Sequence, residues 1–151
     1  MKDGMFDRNE VLQRLPQADP FVFVDNATVF DKAVEGSYLI TGEEVFMGGH
    51  FPGRPIFPAS ILSEALGQLG IVYMMEHYRS EGIDVESIFF IKSEDVICRR
   101  KCIPGDRLDL QLKVIRVREP LILFSGSISV AGQLALKVSS LSLSFSTQGE
   151  S

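Results

Sequence analysis

Three prolines spaced three residues apart, Pro52, Pro55 and Pro58, run directly into a segment that is apolar on almost every side. This junction constrains the chain more than any other feature. Each proline lacks a backbone donor and holds its neighbour extended, so His50 to Phe57 is predicted to be irregular. A helix is predicted to begin near Pro58, because proline suits a first helical turn, with Ser60 and Ser63 placed to satisfy the orphan amides there. From that point Ile61, Leu62, Ala65, Leu66, Leu69, Ile71, Val72, Tyr73, Met74 and Met75 leave no polar face. Such a helix must be wrapped by the rest of the protein.

The wrapping is legible as strands, whose side chains alternate with a period of two. Leu108, Leu110, Leu112 and Val114 alternate with polar residues, as do Ile122, Phe124, Ile128 and Val130. Arg118-Glu119-Pro120, Pro104-Gly105-Asp106 and Ala131-Gly132-Gln133 read as turns. Ahead of the helix, Phe21 to Asp25 is a compact apolar run. Ala27 to Ile40 reads as two strands parted near Asp31 and Lys32, with Val34, Gly36, Tyr38 and Ile40 on one side. After the helix, a polar turn around Gly82 gives way to an apolar run from Ser87 to Ile91. In the last strand the apolar parity slips from Leu134, Leu136 and Val138 to Leu141, Leu143 and Phe145, which predicts a bulge near Ser139 and Ser140. Asn9 to Leu15 suits a short amphipathic helix ending before Pro16, and residues 147–151 are expected to be a disordered tail. The sum is an α+β fold in one domain spanning residues 1–151, a long central helix wrapped by a curved antiparallel sheet.

Charge and cysteine content narrow the function classes. Fifteen Lys and Arg against twenty Asp and Glu give a net charge of -5, which argues against nucleic acid as a partner. No uninterrupted apolar run of about 18 residues occurs, so no membrane insertion is expected and the protein reads as cytoplasmic. Cys98 and Cys102, if they share one strand, stand about 13 Å apart, too far for a disulfide. With only His50 and His77 besides, no metal site is expected, and both thiols read as small buried hydrophobes. Gly67 and Gly70 each cost about 1 kcal/mol in a helix interior, so they are expected to permit close packing of a strand or of a partner helix. His77, near the helix end, reads as a surface residue interacting with the helix dipole.

Within the apolar helix Glu64 is the first charge, and the next is Glu76. An unpaired buried carboxylate costs several kcal/mol, so Glu64 should either be held neutral or stand at a lined cavity. His50 lies one short loop upstream. A histidine and a carboxyl beside a helix N-terminus form a set of parts for proton transfer next to a carbonyl. The competing reading is structural: Glu64 bonds Gln68 one turn on, and His50 caps the loop.

The stretch HFPGRPIFPASILSEALGQ, from His50 to Gln68, resembles the signature HFPGxPxMPGxLxxEALxQ of the 3-hydroxyacyl-(acyl carrier protein) dehydratases of the hotdog fold. The likeness extends beyond it. LPQADPFVFVD at Leu15 to Asp25 is similar to the family's LPHRYPFLLVD, RRKCIPGDRLDLQLKV at Arg99 to Val114 to RRPVVPGDxLxLxxxV, and FSGSISVAGQLALK at Phe124 to Lys137 to FxGxAxVDGxLxxx. The resemblance implies a hotdog fold, an obligate dimer whose sites draw on both subunits, acyl carrier protein as substrate carrier and no cofactor. It also implies roles: His50 abstracts the proton next to the carbonyl, Glu64 protonates the departing hydroxyl, and the amide of Ala59 bonds the thioester oxygen, with Gln68, Gly53 and Pro58 in support. Phe51, Ile56, Phe57, Phe89 and Phe90 are candidates for the walls of an acyl tunnel. Arg99, Arg100 and Lys101 are the densest basic cluster for docking the acidic carrier, with Arg54 also available.

Three of the chain's departures from the pattern bear on the site. Ala59 replaces a glycine, Phe57 a methionine, and Gln17, Ala18 and Asp19 replace His-Arg-Tyr. An alanine keeps the amide donor provided the backbone there is helical or extended. The departures leave room for an accessory subunit that binds acyl carrier without catalysis. A hotdog acyl thioesterase is a further alternative, although that family does not use the HFPG loop.

Overall fold

The computed structural model describes residues 4–147. In chain order they form β1 (Gly4–Phe6), α1 (Arg8–Arg14), β2 (Asn26–Val29), β3 (Ala33–Leu39), a 3-10 turn at Met47–Gly49, α2 (Ala59–Ser80), β4 (Val85–Cys98), β5 (Arg107–Arg118), β6 (Leu121–Val130) and β7 (Gln133–Thr147). The strands make one antiparallel sheet in the order β1-β2-β3-β5-β6-β7-β4. The 22-residue α2 packs on its inner face. Leu66, Leu69, Val72 and Tyr73 from the helix share one core with Leu110, Leu112, Phe124, Leu141 and Leu143 from the strands. This is the hotdog layout, and it follows from the apolar helix: no face of α2 between Ala65 and Met74 is exposed.

Local chemistry explains most of the boundaries. Asp7 accepts from the Glu10 amide at 2.9 Å while Glu10 accepts from the Asp7 amide at 3.2 Å, a capping box that starts α1. α2 begins one residue after Pro58, but Ser60 and Ser63 do not cap it. The capping position is held by Pro58, whose side chain has no acceptor, and both serines already lie inside the helix. Instead the Pro58 carbonyl accepts from Ile61 and Leu62, each at 3.0 Å.

The expected bulge lies between paired positions Phe124↔Leu141 and Gly126↔Val138, so Ser139 and Ser140 supply the extra residue on β7. A second slip, between Ile128↔Leu136 and Ser129↔Leu134, inserts Ala135. It turns Leu134 outward, to 38% exposure, against the parity expected for it. Thr147 ends β7 and so is not part of a tail; the remainder of the expected tail, 148–151, lies outside the described residues. The thiols also correct the expectation. Cys102 is buried, and burial holds its thiol above the usual range, whereas Cys98 is exposed. They do not share a strand, because β4 ends at Cys98 and the chain turns away.

Gly70 is where the helix meets the sheet most closely. A Cβ there would stand 2.6 Å from Leu143 Cδ1 and 3.3 Å from Leu112 Cδ1. Replacing Gly70 by Val is expected to destabilise the protein by about 2 kcal/mol or more, since overpacking outweighs the gain in helix propensity. Equilibrium denaturation checks this; an unchanged midpoint would contradict the packing described.

Candidate active site

The proline-rich loop is a tight turn pinned at several points. Arg54 N–H donates to Phe51 O at 2.9 Å and Phe51 N–H to Arg54 O at 3.1 Å. Pro52 and Gly53 occupy its central positions, with Gly53 at φ +71°, the combination a type II turn demands. Ile56 N–H bonds His50 O at 2.7 Å, and Phe57 N–H bonds Cys102 O at 2.8 Å. Phe57 anchors the loop from beneath, packing edge-on against Phe23 and Phe46.

His50 is fixed by this loop. Its Nδ1 stands 2.7 Å from the Ile56 carbonyl. A carbonyl only accepts, so Nδ1 carries hydrogen and Nε2 of the neutral ring holds the free lone pair. Phe51 stacks on the imidazole with centroids 4.3 Å apart while remaining 52% exposed.

Glu64 lies in the second turn of α2. Its Oε2 accepts from Gln68 Nε2 at 2.9 Å and from Gln17 Nε2 at 3.2 Å. Gln68 is fully buried and fully engaged: it also donates to Phe21 O at 3.1 Å and accepts from Phe23 N–H at 2.8 Å. The apolar run at Phe21 to Asp25, expected from the sequence, is therefore an irregular segment laced to α2 by one amide. The Glu64–Gln68 bond of the structural reading is present, and the carboxyl also stands at a cavity.

That cavity is a cleft of about 270 Å³ walled by Ser60, Ser63, Glu64, Gly67 and Ile71 of α2, by Gln17, and by Ile88, Phe90 and Leu143 of the sheet. Of the five tunnel candidates only Phe90 lines it. Phe89, next to it on β4, points to the other face by strand alternation. Phe57 is core, Phe51 covers His50, and Ile56 supplies the carbonyl that His50 bonds. His50 is not among the lining residues, so one chain does not bring the imidazole to the Glu64 cleft.

At the mouth of the helix, Ala59 is its first residue and is not among the positive-φ positions. The glycine-to-alanine departure thus introduces no strain. No side chain caps this end, and among the described residues the Ala59 amide has no acceptor within the chain. The positive end of the helix dipole lies here. In the basic cluster Arg99 and Lys101 are exposed, while Arg100 is tied to Gln133 Oε1 at 2.9 Å and Asp106 Oδ2 at 3.5 Å. His77 stacks on Tyr73 at 5.5 Å and pairs with Glu81 at 3.5 Å, a structural role in the last turn of α2. Among the described residues no group of three or more His, Cys, Asp and Glu could hold a metal, and no helix is long and apolar enough to cross a membrane.

Sequence reasoning singled out Glu64, Gln68 and His50 but treated Gln17 only as a departure from a pattern. The contact spans 47 positions, and the one available signal was a polar residue just ahead of an apolar run.

Known proteins match most of the chain. The model of the FabA-like domain matches residues 15–139. A 3-hydroxyacyl-acyl-carrier-protein dehydratase FabZ from Caulobacter vibrioides is 34% identical over 133 residues, covering 85% of this chain and 82% of that one. The FabZ dehydratase of Bacillus subtilis is 30% identical over 136 residues, covering 89% and 94%. Among solved structures, the dehydratase heterocomplex ApeI:P from Xenorhabdus doucetiae shares the fold with a TM-score of 0.80 at 20% identity, covering 93% of each chain. A hypothetical thioesterase from Streptococcus pneumoniae, solved with coenzyme A, shares it more distantly, with a TM-score of 0.58 at 13% identity and coverage of 81% and 84%.

Proposed function

Because this chain belongs to the FabA-like family, we propose that it removes water, reversibly, from 3-hydroxyacyl thioesters borne on acyl carrier protein, giving trans-2-enoyl thioesters for fatty-acid or related lipid synthesis. The observation that carries this reading is Glu64, a carboxyl gripped through one oxygen at the wall of a largely apolar cleft, in the second turn of a helix.

The chemistry follows from the atoms each group offers. His50 Nε2 takes the proton from C2 of the acyl chain, since Nδ1 is engaged with Ile56. The Ala59 amide, at the positive end of α2, bonds the thioester oxygen as negative charge develops on it. The C3–O bond breaks as Glu64 gives its proton to the departing oxygen, forming water and leaving a carboxylate. An imidazolium and a carboxylate remain, and proton exchange with solvent resets both. Ile71, Ile88, Phe90 and Leu143 supply the apolar surface for the acyl chain.

The site is completed by a second copy of the chain. The separation of His50 from the Glu64 cleft supports this, and so does β4. It is an edge strand of 14 residues on which Phe89, Phe90, Ile91, Val96 and Ile97 are each at least 40% exposed. A long apolar edge with free backbone groups is a template for strand pairing. Acyl carrier protein is acidic and docks through the exposed Arg99 and Lys101, and the reaction belongs in the cytoplasm, needing no cofactor.

Water loss from 3-hydroxyacyl thioesters of short, medium and long chain on carrier protein tests the reading. Formation of the enoyl thioester is expected. A folded homodimer inert on the whole series would overturn it in favour of an accessory subunit, and release of free thiol in favour of a thioesterase. The same series tests the shape of the cleft. A Cβ on Gly67 would meet nothing within 4 Å inside the chain, so Gly67→Ala is expected to keep or raise stability by up to about 1 kcal/mol. It is expected to lower turnover of bulky acyl chains more than of short ones; an equal effect on all lengths would place Gly67 away from the acyl path.

A further inference from the structure

The two amides that hold Glu64 are not equivalent. Gln68 is locked, because its oxygen accepts from Phe23 N–H and its nitrogen donates to Phe21 O as well as to Glu64. Among the described residues Gln17 makes one side-chain hydrogen bond, Nε2 to Glu64 Oε2 at 3.2 Å, and its Oε1 is buried with no partner. A buried amide oxygen left unpaired is unfavourable for folding. The one group that the Gln17 side chain bonds among the described residues is the Glu64 carboxyl.

Resting on the dehydratase reading, we propose that Gln17 is a positioning residue for Glu64, an amide that donates to the carboxylate and, turned end for end, accepts from the carboxylic acid. The reaction takes Glu64 through both states: it starts as the acid and ends as the carboxylate once its proton has gone to the departing oxygen. An acid O–H needs an acceptor and a carboxylate needs donors. Gln68 can serve only the second, because turning its amide would break its bonds to both Phe21 and Phe23. Gln17 can serve both, because its other end holds no bond that the turn would break. The acid proton that Gln17 accepts is carried on Oε2; it turns from Gln17 to the departing oxygen as the C3–O bond breaks, and Gln17 turns back to donate to the carboxylate that remains. The family pattern has histidine at this position, and a neutral imidazole likewise carries one donor and one acceptor.

The test compares Gln17→Leu, which keeps the volume and removes both functions, with Gln17→His, which restores a donor and an acceptor. Steady-state dehydration by the full-length dimer is measured beside thermal denaturation, with Glu64→Gln as reference. For Gln17→Leu, kcat is expected to fall about 10-fold with KM changed less than about 2-fold, while the thermal midpoint holds or rises. Gln17→His is expected to recover to within about 3-fold of the parent. The inference is overturned if Gln17→Leu keeps its kcat, if its losses follow a lowered thermal midpoint, or if Gln17→His is as slow as Gln17→Leu. These outcomes are distinct from failure of the dehydratase reading, in which Glu64→Gln itself retains full turnover.

Discussion

Replacing His50 by alanine is expected to lower kcat for 3-hydroxyacyl dehydration by about 10²-fold to 10⁴-fold while leaving the folded dimer intact. The base is worth this much because removal of a weakly acidic proton next to a thioester carbonyl has no other acceptor in the site. The fold should tolerate the change. His50 is only half-buried, and the loop is held by backbone bonds that the imidazole does not make, Ile56 N–H to His50 O and Phe57 N–H to Cys102 O. The Ile56 carbonyl loses one partner and, at a half-exposed position, can take water. The same assay on Glu64→Gln is expected to show a comparable loss, because an amide in that place cannot release a proton to the departing hydroxyl. A His50→Ala enzyme within 3-fold of the parent, assayed at equal dimer concentration, contradicts the assignment of the base.

Breaking the β4 edge is expected to abolish turnover nearly as completely, by a different route. An isologous pair of edge strands places residues near the strand midpoint at the twofold axis. For Val85–Cys98 the midpoint falls between Ile91 and Lys92. Ile91 is 49% exposed and sits at the register shift between Phe90 and Lys92, so β7 does not depend on it for pairing. Ile91→Lys adds a second ammonium beside Lys92 on each copy and brings like charges together across the axis. Sedimentation should then show monomer, with far-ultraviolet circular dichroism unchanged and dehydration reduced at least 10²-fold, because no chain alone brings His50 to Glu64. A monomer with parental activity would refute a shared site; a dimer with parental activity would refute pairing through the β4 midpoint.

The sequence was most informative where backbone chemistry is local. The prolines marked the loop, the apolar run marked α2, and a slip in parity located the bulge at Ser139 and Ser140. It was least informative where the outcome depends on a partner distant in sequence. β1, three residues long, is too short to show a period and exists through pairing with β2. Only Ser87 to Ile91 of β4 was legible, because the rest of the strand, Val85-Glu86 and KSEDVIC, mixes charge with apolar residues, as an edge exposed on both faces does. Leu134 misled because the one-residue slip at the adjoining Ala135 reverses its face. Ser60 and Ser63 suggested caps because residue type alone does not say which position the proline takes. In the site, Glu64 and His50 announced themselves as the titratable groups of an apolar neighbourhood. Gln17 did not, since its significance lies in a contact with Glu64 that no local pattern encodes.

The proposed arrangement has an imidazole from one subunit and a carboxyl from the other acting on the same thioester. It is tested most directly by mixing His50→Ala and Glu64→Gln dimers, each inactive alone, under conditions that exchange subunits. A mixed dimer holds one site with both defects and one with neither, so random exchange is predicted to restore about one quarter of the parental dehydration rate. Subunit exchange with no recovery of activity would contradict the claim.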